Sequence, residues 1–163
     1  MRLNLAGVIV DVVQGTSRDH SPDEGLHRLL TAALGSLASG RVGGGVLVWF
    51  LSNMLTSHGL EPQLGACAGC GSVEANEEMI FCPREGVAYC LRCKSGGQIY
   101  EHRLGIRAMA LLRRVGAVPP SKLPSLFAEP EDVLTCSRAL LCMCEEHFDW
   151  QGRERRILEE TFG

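Results

Sequence analysis

The amino-acid sequence predicts a mainly α-helical fold, in which a helical bundle is interrupted by a small cysteine-rich insert. Two observations support this prediction. Apolar residues recur at helical spacing on both sides of the middle of the chain. Residues 66–100, by contrast, have no helical period and are rich in glycine and cysteine. We therefore divide the chain into an N-terminal helical part (1–65), the insert (66–100) and C-terminal helices that complete the bundle (101–163).

The sequence of the N-terminal part predicts two helices. They follow an apolar segment, Leu3–Val13, which is either a strand or the end of a helix. Ser21-Pro22-Asp23-Glu24 is a helix start, because serine can cap the helix, proline suits the first turn and glutamate can close the capping box. Gly40 ends this helix, and the second helix ends at His58-Gly59. The apolar residues at helical spacing are Leu26, Leu29, Leu30, Ala33, Leu34 and Leu37 in the first helix and Val46, Leu47, Phe50, Leu51, Met54 and Leu55 in the second.

The C-terminal part predicts three further helices. Helical spacing returns at about His102–Val115, and Val118-Pro119-Pro120-Ser121 is expected to form a loop. The acidic residues of Glu129–Asp132 favour the start of a long helix, and a last short helix is expected at Arg153–Phe162. The predicted apolar faces are Leu104, Ala108, Leu111 and Val115 in the first of these helices and Val133, Ser137, Leu140, Leu141, Cys144 and Phe148 in the long one.

Charge is unevenly distributed along the chain, whose formal net charge is −3. Residues 84–122 hold eight basic and two acidic residues, whereas residues 129–163 hold four basic and nine acidic ones. This balance excludes a chain coated in phosphate-binding lysines. Any contact with nucleic acid is therefore expected in the middle of the sequence.

The sequence shows no export signal and no membrane span. The residues after Met1-Arg2-Leu3 include Asp11 and lack a small-residue cleavage site. The apolar run Val46–Leu55 contains Ser52 and Asn53 and is much shorter than a membrane span. We therefore expect a cytoplasmic protein with reduced thiols, in which clustered cysteines bind metal in preference to forming disulfides.

Four of the eight cysteines form two C-x-x-C motifs that are separated by nineteen residues. Two residues between thiolates allow a tight turn to direct both sulfurs at one ion, and two such turns complete a tetrahedron. Short strands are predicted between the motifs, at Met79–Phe81 and Val87–Tyr89. The spacing therefore predicts a four-cysteine zinc-ribbon-like insert that holds one structural Zn²⁺ through Cys67, Cys70, Cys90 and Cys93.

The remaining cysteines have other predicted roles. Cys82 lies between the two motifs, before Pro83, and is interpreted as a core or bystander thiol, although it could replace a ligand. Cys136 and Cys144 share the apolar face of the long helix, with Cys142 nearby, and packing is the default role of a free cysteine. A redox dithiol is the alternative for the C-x-x-C motifs, but neither has the strand-to-helix setting that such a dithiol requires.

The sequence offers no recognisable catalytic constellation. Four protein ligands leave no open position on the metal for water or substrate, which favours a structural role. The H-x-E motif of zinc deaminases is missing. Gly43-Gly44-Gly45 lacks the lysine of a phosphate-binding loop, and the five histidines are scattered with no nucleophile beside them. We therefore predict that the chain is not an enzyme.

The order of motifs from Phe50 to Cys93 carries a family resemblance. A leucine-rich helix leads into the turn Gly59-Leu60-Glu61-Pro62-Gln63-Leu64 and then into Cys67-Ala68-Gly69-Cys70-Gly71. Phe81-Cys82-Pro83-Arg84-Glu85-Gly86 and the second C-x-x-C motif follow. This order resembles the zinc-bearing C-terminal region of the RecO family of bacterial recombination and repair proteins, and a weaker resemblance extends over about residues 20–150.

The resemblance implies a recombination mediator in DNA repair. Members of the family bind and anneal single-stranded DNA, contact the tail of single-strand-binding protein, pair with RecR and help to load RecA, in the bacterial cytoplasm at the nucleoid. They also begin with an OB-fold barrel, a module suited to single strands. Nothing in this sequence corresponds to that barrel, so the chain is expected to be either a truncated member or a stand-alone relative that works through protein contacts. A zinc-stabilised protein-interaction module with no direct DNA role is the alternative.

Basic side chains of the middle region are the candidate DNA contacts. If residues 102–115 form one helix, Arg103 and Arg107 lie four residues apart and Arg114 follows seven residues later, so the three share one side. An ordinary solvated helix face is the alternative interpretation. The candidate contacts are Lys94, Arg103, Arg107, Arg113 and Arg114.

Overall fold

The computed structural model describes residues 2–16, 23–39, 45–73, 77–94, 101–125, 128–148 and 150. Within these ranges the chain forms five α-helices, a three-stranded sheet and a 3-10 helix, which confirms the predicted mainly α-helical fold. The helices are α1 (Arg2–Thr16), α2 (Glu24–Ala38), α3 (Gly45–Ser57), α4 (Ile106–Val115) and α5 (Pro130–His147). The strands are β1 (Met79–Cys82), β2 (Val87–Cys90) and β3 (His102–Leu104), and the 3-10 helix is Pro120–Ser125.

Helix α3 lies at the centre of the bundle. It packs against α1, α2, α4 and α5, and ten of its thirteen residues are buried. A helix that is buried on all sides needs apolar side chains around its whole circumference, which explains its sequence. Trp49 donates its indole N–H to the carbonyl oxygen of Val118 at 2.8 Å, so its polar atom is satisfied. The chain leaves α3 as predicted, through Gly59 with a φ of 75°.

The apolar segment Leu3–Val13 is helical and lies within α1. Leu5, Val8, Ile9 and Val12 follow helical spacing, and all four are buried against the bundle. Trp150, which lies after α5 in the sequence, contacts this helix, since its indole N–H donates to Asp11 Oδ2 at 2.9 Å. The same ring lies directly against Gly15, where it leaves no room for a Cβ atom.

The N-terminal cap of α2 differs from the prediction. Asp23 is the capping residue, and its Oδ1 accepts a hydrogen bond from the backbone N–H of Leu26 at 2.9 Å. The predicted cap at Ser21 is therefore wrong, because an aspartate nearer to the first turn performs this role. Ser21, Pro22 and the predicted stop at Gly40 lie outside the described residues.

The segment predicted as one helix at His102–Val115 is a strand followed by a helix. His102–Leu104 forms β3, and α4 begins at Ile106 after Gly105. Leu104 pairs with Met79 of β1, so its burial comes from the sheet and not from a helix. The buried face of α4 is also rotated relative to the prediction. Its buried residues are Ala108, Met109, Leu112 and Val115, whereas Leu111 is half-buried.

The sheet has the strand order β2-β1-β3, and both pairs are antiparallel. The predicted strands at Met79–Phe81 and Val87–Tyr89 are confirmed, and each is one residue longer than expected. A tight turn joins them, in which Gly86 has a φ of 69° and donates its N–H to the carbonyl of Cys82 at 2.8 Å. β1 is buried along its whole length.

Helix α5 confirms the long helix predicted after Glu129, and Pro130 occupies its first turn. Cys136, Cys142 and Cys144 are buried, as expected for packing cysteines. The predicted loop at Val118–Ser121 is partly wrong, since the 3-10 helix begins at Pro120. The short helix expected at Arg153–Phe162 lies outside the described residues.

The buried core is continuous between the helices and the insert. It includes Cys67, Phe81 and Ala88 from the insert together with Leu64 and the inner faces of the helices. The division at residues 65 and 100 stays a prediction. In the part of the chain that the structure describes, no helix is both long and apolar enough to cross a membrane.

Candidate metal centre

The two C-x-x-C motifs form two tight turns that face each other. In the first turn, the Gly71 N–H donates to the Cys67 carbonyl at 2.8 Å, and Gly71 has a φ of 73°. In the second turn, which follows β2 directly, the N–H groups of Cys93 and Lys94 both donate to the Cys90 carbonyl at 3.0 Å. Hydrogen bonds from backbone to backbone therefore shape both turns.

The turns bring four sulfur atoms together. The Sγ atoms of Cys67, Cys70, Cys90 and Cys93 all lie within 4.8 Å of one another, and Cys70 Sγ lies 3.8 Å from Cys90 Sγ. A tetrahedral zinc site with bonds of about 2.3 Å has sulfur atoms about 3.8 Å apart. Cys67 and Cys90 are buried, whereas Cys70 and Cys93 are exposed. Four thiols at this spacing can hold one tetrahedral metal ion.

Backbone hydrogen bonds lower the pKa of two of the four thiols. Cys67 Sγ accepts from the N–H groups of Cys90 at 3.2 Å and Gly69 at 3.4 Å. The bond from Cys90 is the largest of the effects that lower the pKa of Cys67 to about 6. The backbone N–H of Cys93 likewise lowers the pKa of Cys90. Negative charge is thereby stabilised on the two buried sulfurs.

Crowding has the opposite effect on the fourth thiol. Hydrogen bonds to the neighbouring sulfurs, with Cys90 first, raise the pKa of Cys93 to about 12. Sulfur atoms this close therefore share protons as long as no cation separates them. The four cysteines would release these protons on binding a divalent ion, whose charge would stabilise all the thiolates.

Gly69 allows the two turns to approach closely. A Cβ atom at this position would lie 2.9 Å from Cys93 Cβ and 3.0 Å from Cys93 Sγ. Any larger residue would therefore displace one of the sulfur atoms. The glycine belongs to the metal centre although it offers no ligand.

Cys82 lies outside the four-sulfur cluster, at the end of β1 that is closer to the hairpin turn. Its Sγ accepts a hydrogen bond from Lys94 Nζ at 2.8 Å. Lys94 Nζ also lies 2.9 Å from Glu101 Oε1 and 4.8 Å from the centre of the Tyr89 ring. The side chain of Lys94 therefore runs back along the hairpin and is held there.

The other candidate DNA contacts do not share one helix face, because Arg103 lies on β3. Both oxygens of the Glu78 carboxylate pair with Arg103 at 2.7 Å. Arg107 Nε lies 3.0 Å from Asp132 Oδ2, which connects α4 to the first turn of α5. The side chains of Arg103 and Arg107 nevertheless remain 63% and 67% exposed.

Arg113 and Arg114 are adjacent in sequence but differ in their surroundings. Arg113 Nε donates to the Leu64 carbonyl at 2.9 Å, so this side chain joins α4 to the segment before the first C-x-x-C motif. Arg114 is exposed, and no described residue pairs with it. It lines a shallow groove of about 300 Å³ together with Arg107, Leu111 and Ala128.

Sequence reasoning missed the acidic residues that pair with these cations. Glu78 and Arg103 are 25 positions apart and meet because β1 and β3 are antiparallel neighbours. Asp132 reaches Arg107 in a similar way, because α5 packs against α4, and Glu101 meets Lys94 beside the hairpin. No spacing in the sequence indicates these pairs, since each depends on how separate elements pack.

Comparisons with known proteins identify the family. The family model described as recombination protein O C terminal matches residues 2–156. The DNA repair protein RecO of Anaeromyxobacter dehalogenans strain 2CP-C is 35% identical over 160 residues, which cover 98% of this chain and 62% of the relative. The RecO protein of Anaeromyxobacter sp. strain K is 29% identical over the same shares of both chains.

A more distant relative, the RecO protein of Desulforudis audaxviator, is 32% identical over 92 residues, which are 56% of this chain and 36% of the relative. The chain thus spans 62% of the length of the Anaeromyxobacter relatives. No solved structure shows a significant match. Because the family model accounts for nearly the whole sequence, including both C-x-x-C motifs, this chain belongs to the RecO family.

Proposed function

We propose that this chain acts in DNA repair as a RecO-type recombination mediator. The observation that supports this proposal best is that one RecO family model spans residues 2–156. The four cysteines within that span also lie together in one cluster. A mediator works by holding DNA and other proteins, and it turns over no substrate. The proposal therefore includes no catalytic step.

The metal that we propose for the cluster is one structural Zn²⁺. Cys67, Cys70, Cys90 and Cys93 supply four sulfur ligands, and soft thiolates in a tetrahedral arrangement favour zinc over the harder divalent cations. When bound, the ion links the turn before β1 to the turn after β2. Its role is to stabilise the insert, because four protein ligands complete its coordination.

The proposed partners are single-stranded DNA, RecR and the tail of single-strand-binding protein. They follow from family membership, and the proposed location is accordingly the bacterial cytoplasm at the nucleoid. Among the candidate DNA contacts, Arg114 is best placed because no described residue pairs with it. Arg103 and Arg107 are secondary candidates, since exposed ion pairs are weak and a phosphate can replace the carboxylate. Lys94 and Arg113 hold parts of the fold together and contribute less.

A protein-interaction module with no direct DNA role is the second candidate function. The acidic partners of Arg103, Arg107 and Lys94 favour it, because they neutralise three of the five candidate DNA contacts. In that case the metal-stabilised insert and the bundle present a surface to other repair proteins. The two candidates differ in whether the isolated chain binds DNA.

Binding measurements with the purified, zinc-loaded chain distinguish these functions. We would titrate a labelled single-stranded oligonucleotide, RecR from the same organism, and a peptide with the sequence of the single-strand-binding protein tail. Binding of RecR together with DNA supports the mediator. Binding of RecR or the peptide without DNA favours the interaction module, and no binding to any of the three contradicts both proposals.

A further inference from the structure

Cys82, Lys94 and Glu101 form a compact cluster beside the β1–β2 hairpin, outside the metal centre. Lys94 Nζ lies 2.8 Å from Cys82 Sγ and 2.9 Å from Glu101 Oε1. Cys82 is 5% exposed, and the Glu101 side chain is 6% exposed, whereas the Lys94 side chain is 26% exposed. A thiol, an amine and a carboxylate are thus held together at a largely buried position.

The nitrogen–sulfur contact in this cluster is shorter than three other nitrogen–sulfur contacts among the described residues. Backbone N–H groups approach Cys67 Sγ to 3.2 and 3.4 Å, and Arg113 Nη2 lies 3.9 Å from Met79 Sδ. Lys94 Nζ is closer to its sulfur than any of these donors. The ion pair with Glu101 and the Tyr89 ring below the ammonium group fix the amine at this distance. One oxygen atom bonded to both atoms would hold them at nearly the separation that already exists.

We propose that Cys82 and Lys94 form a redox-dependent covalent crosslink, in which one oxygen atom bridges Cys82 Sγ and Lys94 Nζ. A peroxide is the oxidant. The crosslink joins the end of β1 to the residue that follows Cys93, so it ties the hairpin to the second C-x-x-C turn without using a metal ligand. Oxidation therefore stiffens the insert at a position separate from the four-cysteine cluster.

Two molecules of hydrogen peroxide account for the atoms and electrons. The first oxidises the Cys82 thiol to a sulfenic acid by two electrons and leaves as one water. The second molecule removes two more electrons. In this step the O–H bond of the sulfenic acid and one N–H bond of Lys94 break, the O–N bond forms, and the peroxide leaves as two waters. The remaining ammonium proton has an acceptor in the Glu101 carboxylate at 2.9 Å. The product is a neutral N–O–S bridge.

The geometry makes the reaction specific to this pair. Cys82 is too buried for large reagents, so a small oxidant is required, and a sulfenic acid formed there meets Lys94 before a second thiol. The chain contains one other lysine, Lys122, which lies in the 3-10 helix and serves as an internal control. Lys94→Arg preserves a cation for Glu101 but lacks the amine, and Cys82→Ser lacks the sulfur.

Peptide mass spectrometry of the zinc-loaded protein after peroxide treatment tests the proposal. We expect a peptide pair joined through Cys82 and Lys94 whose mass exceeds that of the two peptides by one oxygen less two hydrogens. Thiol reductant should reverse it, and both variants should lack it.

Three outcomes contradict the proposal. Cys82 could be recovered only as free thiol or as sulfinic or sulfonic acid while the other cysteines are oxidised. The crosslink could lack the additional oxygen, which would indicate a direct S–N bond. It could also involve Lys122, which would indicate a non-specific reaction.

Discussion

At the scale of single residues, the geometry of the metal centre depends on the glycine between its ligands as well as on the sulfur atoms. Gly69 lies where the two C-x-x-C turns come closest, and a Cβ atom there would meet Cys93 at 2.9 Å. Gly65, a few residues earlier, has open space where a Cβ atom would be placed. These two positions therefore separate the effect of crowding from the general effect of replacing a glycine.

Gly69→Ala should weaken zinc binding by about 5- to 150-fold, because an overpacked contact typically costs about 1–3 kcal/mol. Gly65→Ala is the matched control and should bind zinc as the unmodified protein does. Competition with a chromophoric chelator measures both affinities. Equal affinity of the two variants would show that Cys93 moves aside without consequence.

Cys67→Ser and Cys82→Ala should have opposite effects on metal content. Cys67 is a buried member of the sulfur cluster, whereas Cys82 contacts Lys94. Structural zinc contributes about 10–16 kcal/mol of apparent binding free energy in small domains. We therefore expect Cys67→Ser to lose its zinc and to unfold the insert, while Cys82→Ala retains one zinc per chain. Elemental analysis of freshly purified, reduced protein gives the ratio, and zinc loss confined to Cys82→Ala would refute the ligand assignment.

At the scale of secondary-structure elements, the short strand before α4 made the prediction from apolar spacing wrong. Leu104, Ala108, Leu111 and Val115 follow helical spacing, yet Leu104 belongs to β3. The buried face of α4 itself includes Met109 and Leu112. The sequence pattern and the structure therefore disagree about which of two adjacent leucines is in the core.

Leu112→Ala should destabilise the fold more than Leu111→Ala does. Leu112 is 6% exposed, and removal of a buried leucine side chain costs about 2–5 kcal/mol. Leu111 is half-buried and lines the open groove beside Arg114, so its replacement should cost less, about 1 kcal/mol. Urea unfolding of the two zinc-loaded variants measures the difference in the free energy of unfolding. The reverse order would mean that α4 presents the face predicted from its sequence.

At the scale of the whole molecule, the basic residues of the middle region do not form one free surface. Intramolecular contacts occupy Lys94, Arg103, Arg107 and Arg113, which leaves Arg114 on the outer side of α4 as the candidate without a described partner. Exposed pairs such as Arg107 with Asp132 contribute little to stability and can be exchanged for phosphate. DNA binding by this chain should accordingly be weak and sensitive to salt.

Arg114→Glu should reduce binding of single-stranded DNA and its dependence on salt. With two phosphate contacts, at Arg107 and Arg114, the slope of log affinity against log salt should be about −1.4, at about −0.7 for each contact. Arg28→Glu on α2 is the matched control, since it makes the same change of charge at an exposed position on another helix. Fluorescence anisotropy at several salt concentrations measures both variants. Binding that ignores salt, or that both variants retain equally, would refute Arg114 as a phosphate contact, whereas absence of DNA binding by the unmodified chain would favour the protein-interaction module.

The sequence by itself determined the features that depend on residues close together in the chain. The spacing within each C-x-x-C motif identified the four cysteines, because a tight turn is sufficient to aim both sulfurs of a motif. The apolar period identified α2, α3 and α5 for the same reason, since a helix is defined by neighbours three and four residues apart. The motif order around these elements also indicated the RecO family.

Only the tertiary structure decided which distant residues meet. Strand β3 exists because His102–Leu104 pairs with β1, and this pairing also brings Arg103 to Glu78. The approach of Lys94 to Cys82 depends on the course of the hairpin, and the choice of the buried face of α4 depends on its packing against α3 and α5. Such contacts form between elements whose relative positions are set by burial of the common core, and no local spacing in the sequence encodes them.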